Sequence, residues 1–198
     1  MRKEIILIGP LCSGKSSVAL FLAEKLNILN YPIDRIKWYY RFKNGYNLSK
    51  GTKILRNQGF MALLEYSEPF FCLKEIEISL NEFRGGVFDF GASHSYFTDN
   101  DLLKKASKLL EPFKNVVLLQ PSPDKQECIK VLSERIRQRY TENQRSERTI
   151  ESYVKANEYF INHKSNSILS KHVIYTYSKS IEDVGNEILK ITKYNSDQ

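Results

Sequence analysis

The 198-residue chain is poor in cysteine, proline and tryptophan, with three, six and one of each, and it has no long apolar run. Cys12, Cys72 and Cys128 lie far apart and share no metal-ligand spacing. That excludes a disulfide framework and a cysteine-rich zinc site, and it fits a reducing compartment. The apolar stretch near the N-terminus, Ile5–Ile8, is too short for a membrane span or a signal peptide. The expected setting is therefore the cytoplasm, without membrane contact. No internal repeat, low-complexity segment or guanine-reading Asn/Thr-Lys-x-Asp motif occurs. A solenoid is excluded and a GTPase disfavoured.

Acid is the scarcer charge, with 23 Asp and Glu against 30 Lys and Arg, a net charge of +7. Positive potential suits a polyphosphate or an anionic metabolite as well as nucleic acid. Apart from an Arg-rich stretch at 135–148 the charge is spread, and no aromatic RNA-binding signature accompanies it. A small anionic substrate or nucleotide is favoured over nucleic acid. With 41% hydrophobic residues, one core and a single domain over 1–198 are expected, as a monomer or homodimer.

What is present reads as alternating strands and helices. Short apolar strands are expected at Glu4–Ile8, Tyr31–Asp34, Val87–Phe90, Val116–Leu119 and His172–Thr176. Helices are expected at Lys15–Asn27, across most of 35–83 with breaks at Asn44–Gly45, Gly51, Gly59 and Pro69, and at Asp99–Leu110, Asp124–Tyr140, Thr149–Asn162 and Ile181–Thr192. This pattern predicts an α/β three-layer sandwich around a five-stranded parallel sheet. The aromatic residues Trp38, Tyr39, Tyr40, Phe60, Tyr66, Phe70 and Phe71 are expected to be mainly core, with one or two lining a pocket for a planar or apolar acceptor.

Gly9-Pro10-Leu11-Cys12-Ser13-Gly14-Lys15-Ser16 matches G-x-x-x-x-G-K-[ST] in full, after a buried strand and before an amphipathic helix. A chance match in a chain of this length has a probability on the order of 1%. The glycines permit the tight turn that aims successive N–H groups at a phosphate, and the helix dipole adds positive field. Lys15 is placed to reach the β- and γ-phosphates of ATP, and the Ser16 hydroxyl to ligate Mg²⁺. Ser17 completes the nucleotide-binding run. Cys12 is either a small filler or a thiol sensitive to oxidation.

From this loop and its position near the N-terminus, with Asp34 following 19 residues later, the chain resembles the shikimate kinase branch of the nucleoside-monophosphate-kinase-like fold. The resemblance implies that Asp34 ends the second strand near the γ-phosphate, where it orients or deprotonates an acceptor hydroxyl. A helix cap is the alternative for Asp34. Asp89, in Val87-Phe88-Asp89-Phe90-Gly91, resembles a Walker B carboxylate for Mg²⁺, with a structural acid as the alternative. Gly91, Ser93 and His94 stand where the family contacts its acceptor, although His94 also reads as an ordinary loop residue. Residues 36–83 are expected to form a helical acceptor-binding subdomain, and 139–149 a lid. Arg135 and Arg139 share one helix face and Arg137 turns away, so the first two are candidates to close over the phosphates, against a solvated helix end. Ser178 and Lys179 correspond to the adenine loop.

The resemblance is incomplete. Cys72 stands where the family's Gly-Glu-x-x-Phe-Arg-x-x-Glu segment has the arginine that grips the shikimate carboxylate, and Ile36 replaces a second acid. Arg35, Lys74 and Arg84 are candidate substitutes. The expectation is an ATP-dependent kinase acting on a hydroxyl of a small molecule other than shikimate. The alternatives are a regulatory nucleotide-binding module, or a nucleoside, nucleotide, nucleotide-sugar or polynucleotide 5′-hydroxyl kinase.

Overall fold

The structure is a computed structural model that describes residues 2–67 and 71–192. The expected break at Pro69, and Phe70, lie outside the described residues. Strands β1 (Arg2–Ile8), β2 (Leu29–Pro32), β3 (Gly86–Asp89), β4 (Phe113–Gln120) and β5 (His172–Tyr175) form one parallel sheet in the order β2-β3-β1-β4-β5. Its helices are α1 (Lys15–Leu26), α2 (Ile33–Lys43), α3 (Leu48–Gln58), α4 (Phe60–Ser67), α5 (Leu73–Glu82), α6 (Asn100–Leu110), α7 (Lys125–Glu142), α8 (Glu147–Asn162), α9 (Ser165–Leu169) and α10 (Ile181–Thr192).

The strands are apolar on both faces because both are covered. Ile5, Leu7, Val87, Val117 and Leu119 pack with α1 and α10. The alternate residues Ile6, Phe88, Val116 and Leu118 pack with α5 and α6. This period of two sends Asp89 to the face opposite Phe88 and Phe90. Leu7 pairs with Asp89 across β1 and β3, so the loops leaving these two strands emerge side by side. Ligands bind at such carboxyl ends in open α/β sheets.

Several boundaries and breaks differ from the sequence expectation, among them three near the site. β2 ends at Pro32, and Asp34 lies in the first turn of α2. Ile33 is fully buried and begins the helix, while the carboxylate favours the positive helix end. Gly51 does not interrupt α3; it lies inside it, packed against the Tyr46 ring. The polar run 141–148 is mostly helix, since α7 runs to Glu142 and α8 starts at Glu147 with Ser146 as its cap. The expected lid is thus the tip of an α7–α8 hairpin. Of the aromatic set, Tyr40 and Phe71 are buried and Trp38 and Tyr39 exposed. Among the described residues no helix is long and apolar enough to cross a membrane.

Candidate active site

The loop between β1 and α1 is shaped by backbone that most side chains disfavour. Gly9 and Gly14 have φ of 140° and 96°, and the Leu119 carbonyl occupies the place a Cβ on Gly9 would need. Cys12 also has a left-handed φ of 58°, a conformation that costs on the order of 1 kcal/mol outside glycine. Lys15 is buried and its Nζ donates to Gly9 O at 2.9 Å and Pro10 O at 2.7 Å. Burial lowers its pKa, and the charges of Asp89 and Asp34 oppose that.

Asp89 is buried and accepts a hydrogen bond from Ser16. Burial raises its pKa against the pull of Ser16 and Lys15. A hydroxyl beside a carboxylate at the loop's end is a hard-oxygen pair of the kind Mg²⁺ takes, usually together with waters and substrate phosphates. No cluster of three or more His, Cys, Asp or Glu side chains suited to a metal occurs among the described residues.

Asp34 reaches this cleft from α2 and pairs with Lys37 Nζ at 2.5 Å. A Cβ on Gly91 would run into its carboxylate, so the glycine is what lets β3's exit approach so closely. Burial pushes the Asp34 carboxyl up, but Lys37 and His94 outweigh it and hold it at about 2. At neutral pH it is an anion with little affinity for a proton. Asp34, Asp89, Gly91, Arg139 and Tyr140 join loop residues 11–17 around a cleft of about 150 Å³.

The hairpin arginines divide as their spacing implied. Arg139 lines the cleft, Arg135 donates to Cys12 O at 3.4 Å, and Arg137 turns outward to Glu151 at 3.0 Å. Ser178 and Lys179 do not line the cleft. They sit in the turn after β5, where Ser178 has φ of 61° and Lys179 pairs with Glu187.

His94 is fully buried and does not line the cleft; its Nε2 lies 2.7 Å from Glu75 Oε2. Glu75 also accepts from Arg41 Nε at 2.5 Å. Burial raises the Glu75 pKa, but the bonds from His94 and Arg41 dominate and hold it at about 2. A second cavity of about 230 Å³ opens beside this network, between α2, α3 and α4, with Lys37, Trp38, Arg41, Tyr46, Ser93 and Tyr153 in its lining. Its lining includes no carboxylate among the described residues. Sequence reasoning missed Arg41. The available signal was the spacing Asp34, Lys37, Arg41, which is one face of a helix.

A phosphate loop at the head of a parallel sheet in this strand order, with a helical hairpin over it, is the architecture of a P-loop kinase. Solved structures agree. Shikimate kinase from Acinetobacter baumannii in complex with shikimate superposes with a TM-score of 0.61 at 18% identity, over 100% of this chain and 97% of that one. Shikimate kinase from Bacteroides thetaiotaomicron gives 0.59 at 15% identity, over 96% and 98%. The YorR protein of Bacillus subtilis, in complex with phosphorylated GDP, gives 0.52 at 17% identity, over 98% of each chain. The chain has the shikimate kinase-like P-loop kinase fold. No protein-family model matches the sequence, and a search of curated proteins returns no match.

Proposed function

We propose that the protein is an ATP-dependent kinase that moves the γ-phosphate to a hydroxyl of a small molecule. The observation that carries this reading is the convergence of Lys15, Ser16, Asp34, Asp89 and Arg139 on one cleft at the phosphate loop. In use, the Lys15 ammonium exchanges the carbonyls of Gly9 and Pro10 for phosphate oxygens, and loop N–H groups hold the rest. Ser16 and Asp89 would hold Mg²⁺, which neutralises phosphate charge when bound. Asp34, ionised and tied to Lys37, orients the acceptor hydroxyl and takes its proton late, as bond formation acidifies it. Arg139, at the tip of the hairpin (residues 139–149), supplies positive charge where it develops in transfer.

The acceptor fits the second cavity, within the helical region 36–83. At about 230 Å³ it is smaller than the pockets of roughly 300–1,000 Å³ that hold drug-sized ligands. Its aromatic walls suit a planar or apolar body. Its two cations, Lys37 and Arg41, are already paired with Asp34 and Glu75, so the lining gives the acceptor little positive potential of its own.

Incubation with γ-labelled ATP and a library of hydroxylated metabolites tests the reading. A labelled product that disappears with Lys15→Ala supports it. Tight Mg-ATP binding without any labelled product would replace it with a regulatory nucleotide-binding module.

A further inference from the structure

Helix α8 reaches the phosphate loop through one buried side chain. The Leu11 N–H donates to Asn157 Oδ1 at 2.7 Å, and Asn157 Nδ2 donates to the Leu11 carbonyl at 3.3 Å. Asn157 is 1% exposed and 146 residues away in sequence. A single amide therefore fixes both polar groups of one loop residue, with its donor and acceptor ends oppositely used.

The residue so held precedes the loop's strained position. Cys12 adopts its left-handed conformation without a glycine's freedom, and such backbone persists only where its surroundings determine it. Asn157 fixes the peptide groups on the N-terminal side of Cys12, and Arg135 of α7 donates to the Cys12 carbonyl at 3.4 Å. The Leu11 side chain adds a third anchor. It packs against Ile136, Ile150 and Val154 of the hairpin and also against the cluster of Phe160 with Leu64 of α4.

The geometry points to Asn157 as a positioning residue for nucleotide binding. Its amide turns the Leu11 peptide groups away from the cleft and so sets the alternation that aims the following N–H groups at phosphate. The same bonds join the loop to the α7–α8 hairpin, so a shift of the hairpin is transmitted to the loop and a filled loop resists hairpin opening. This inference rests on the loop being a nucleotide site. Asn157 is needed for affinity although it is not among the residues lining the cleft.

Calorimetric titration with Mg-ADP, combined with thermal unfolding, tests it on four proteins. These are the wild type, Asn157→Ala, Asn157→Asp and Leu103→Ala. Asp is isosteric and keeps the acceptor for the Leu11 N–H, but it cannot donate to the Leu11 carbonyl. Leu103→Ala thins the core on α6, away from the loop, and controls for lost stability alone. If the wild type does not bind, the kinase reading fails. Given wild-type binding, the expected result is about tenfold weaker affinity in both Asn157 variants, a smaller Mg-ADP-induced rise in Tm, and wild-type affinity in Leu103→Ala. Wild-type affinity in Asn157→Asp, or an equal loss in Leu103→Ala, would overturn the inference. Should Asn157→Ala not fold, Asn157→Ser, which loses the paired amide without adding negative charge beside the loop, is titrated in its place with the same expected loss, and wild-type affinity in it would overturn the inference.

Discussion

Arg41 and Glu75 are both buried and joined at 2.5 Å, so a cation reaches the neighbourhood of Cys72 from a different helix than the resemblance implied. The substitutes expected from sequence, Arg35, Lys74 and Arg84, are not among the residues lining the second cavity. That cation is taken up by Glu75, so it does not by itself restore the carboxylate grip missing at Cys72, and acidic ring compounds in the library test whether the pair opens to one.

Removing one partner of this pair should cost far more than removing both. Arg41→Met leaves the Glu75 carboxylate buried with His94 alone, and a loss of about 3 kcal/mol is expected in urea unfolding. The double variant Arg41→Met/Glu75→Leu should recover much of it. A single variant as stable as the wild type would show the pair to be unimportant.

Acid should expose the same network. The folded-state pKa of Glu75 is depressed from 4.5 to about 2, so its stabilisation is complete above pH 4.5 and is lost as pH falls toward 2. The side chain is 1% exposed, and the shift corresponds to about 3 kcal/mol. The stability difference between wild type and Glu75→Gln should shrink as pH falls from 4.5 toward 2. A difference independent of pH down to 2 would contradict the assignment.

Gly91→Ala tests the placement of Asp34. The new methyl must displace the Asp34 carboxylate, and transfer should fall by about a hundredfold while Mg-ATP affinity stays within a few fold. Unchanged turnover would mean that Asp34 does not orient the acceptor.

The two faces of α7 should separate in the same assay. Arg139→Ala is expected to lower kcat by about 10²-fold. Arg137→Ala, which loses only an exposed pair with Glu151, should stay within about twofold. Equal effects would remove Arg139 from the chemistry.

The sheet and the phosphate loop were legible because their signals are local. Four β-branched or apolar residues before Gly9 read directly as a buried strand, and alternation in 87–90 correctly sent Asp89 away from its phenylalanines. The second strand was misplaced because Tyr31–Asp34 is too short for a period to fix its end, and Ile33 is buried equally well as a helix residue. Ser178 and Lys179 rested on layout alone, and they lie in the turn after β5, outside the lining of the phosphate cleft. For His94 the sequence leaves a loop histidine or a substrate contact open, and the structure shows it fully buried beside Glu75, 19 residues away. Asn157 gave no signal at all, since an asparagine inside an amphipathic helix looks like any surface residue until the loop it holds is folded beneath it.

The central claim is that amides 9–16 and the Lys15 ammonium form a seat for the polyphosphate of a nucleotide. Titration of the wild type and Lys15→Ala with Mg-ATP, with circular dichroism to confirm that both are folded, tests it most directly. The account predicts saturable one-to-one binding to the wild type and at least a tenfold loss in the variant, about the worth of one charged hydrogen bond. Equal affinity in the two proteins, or no binding to either, would contradict it.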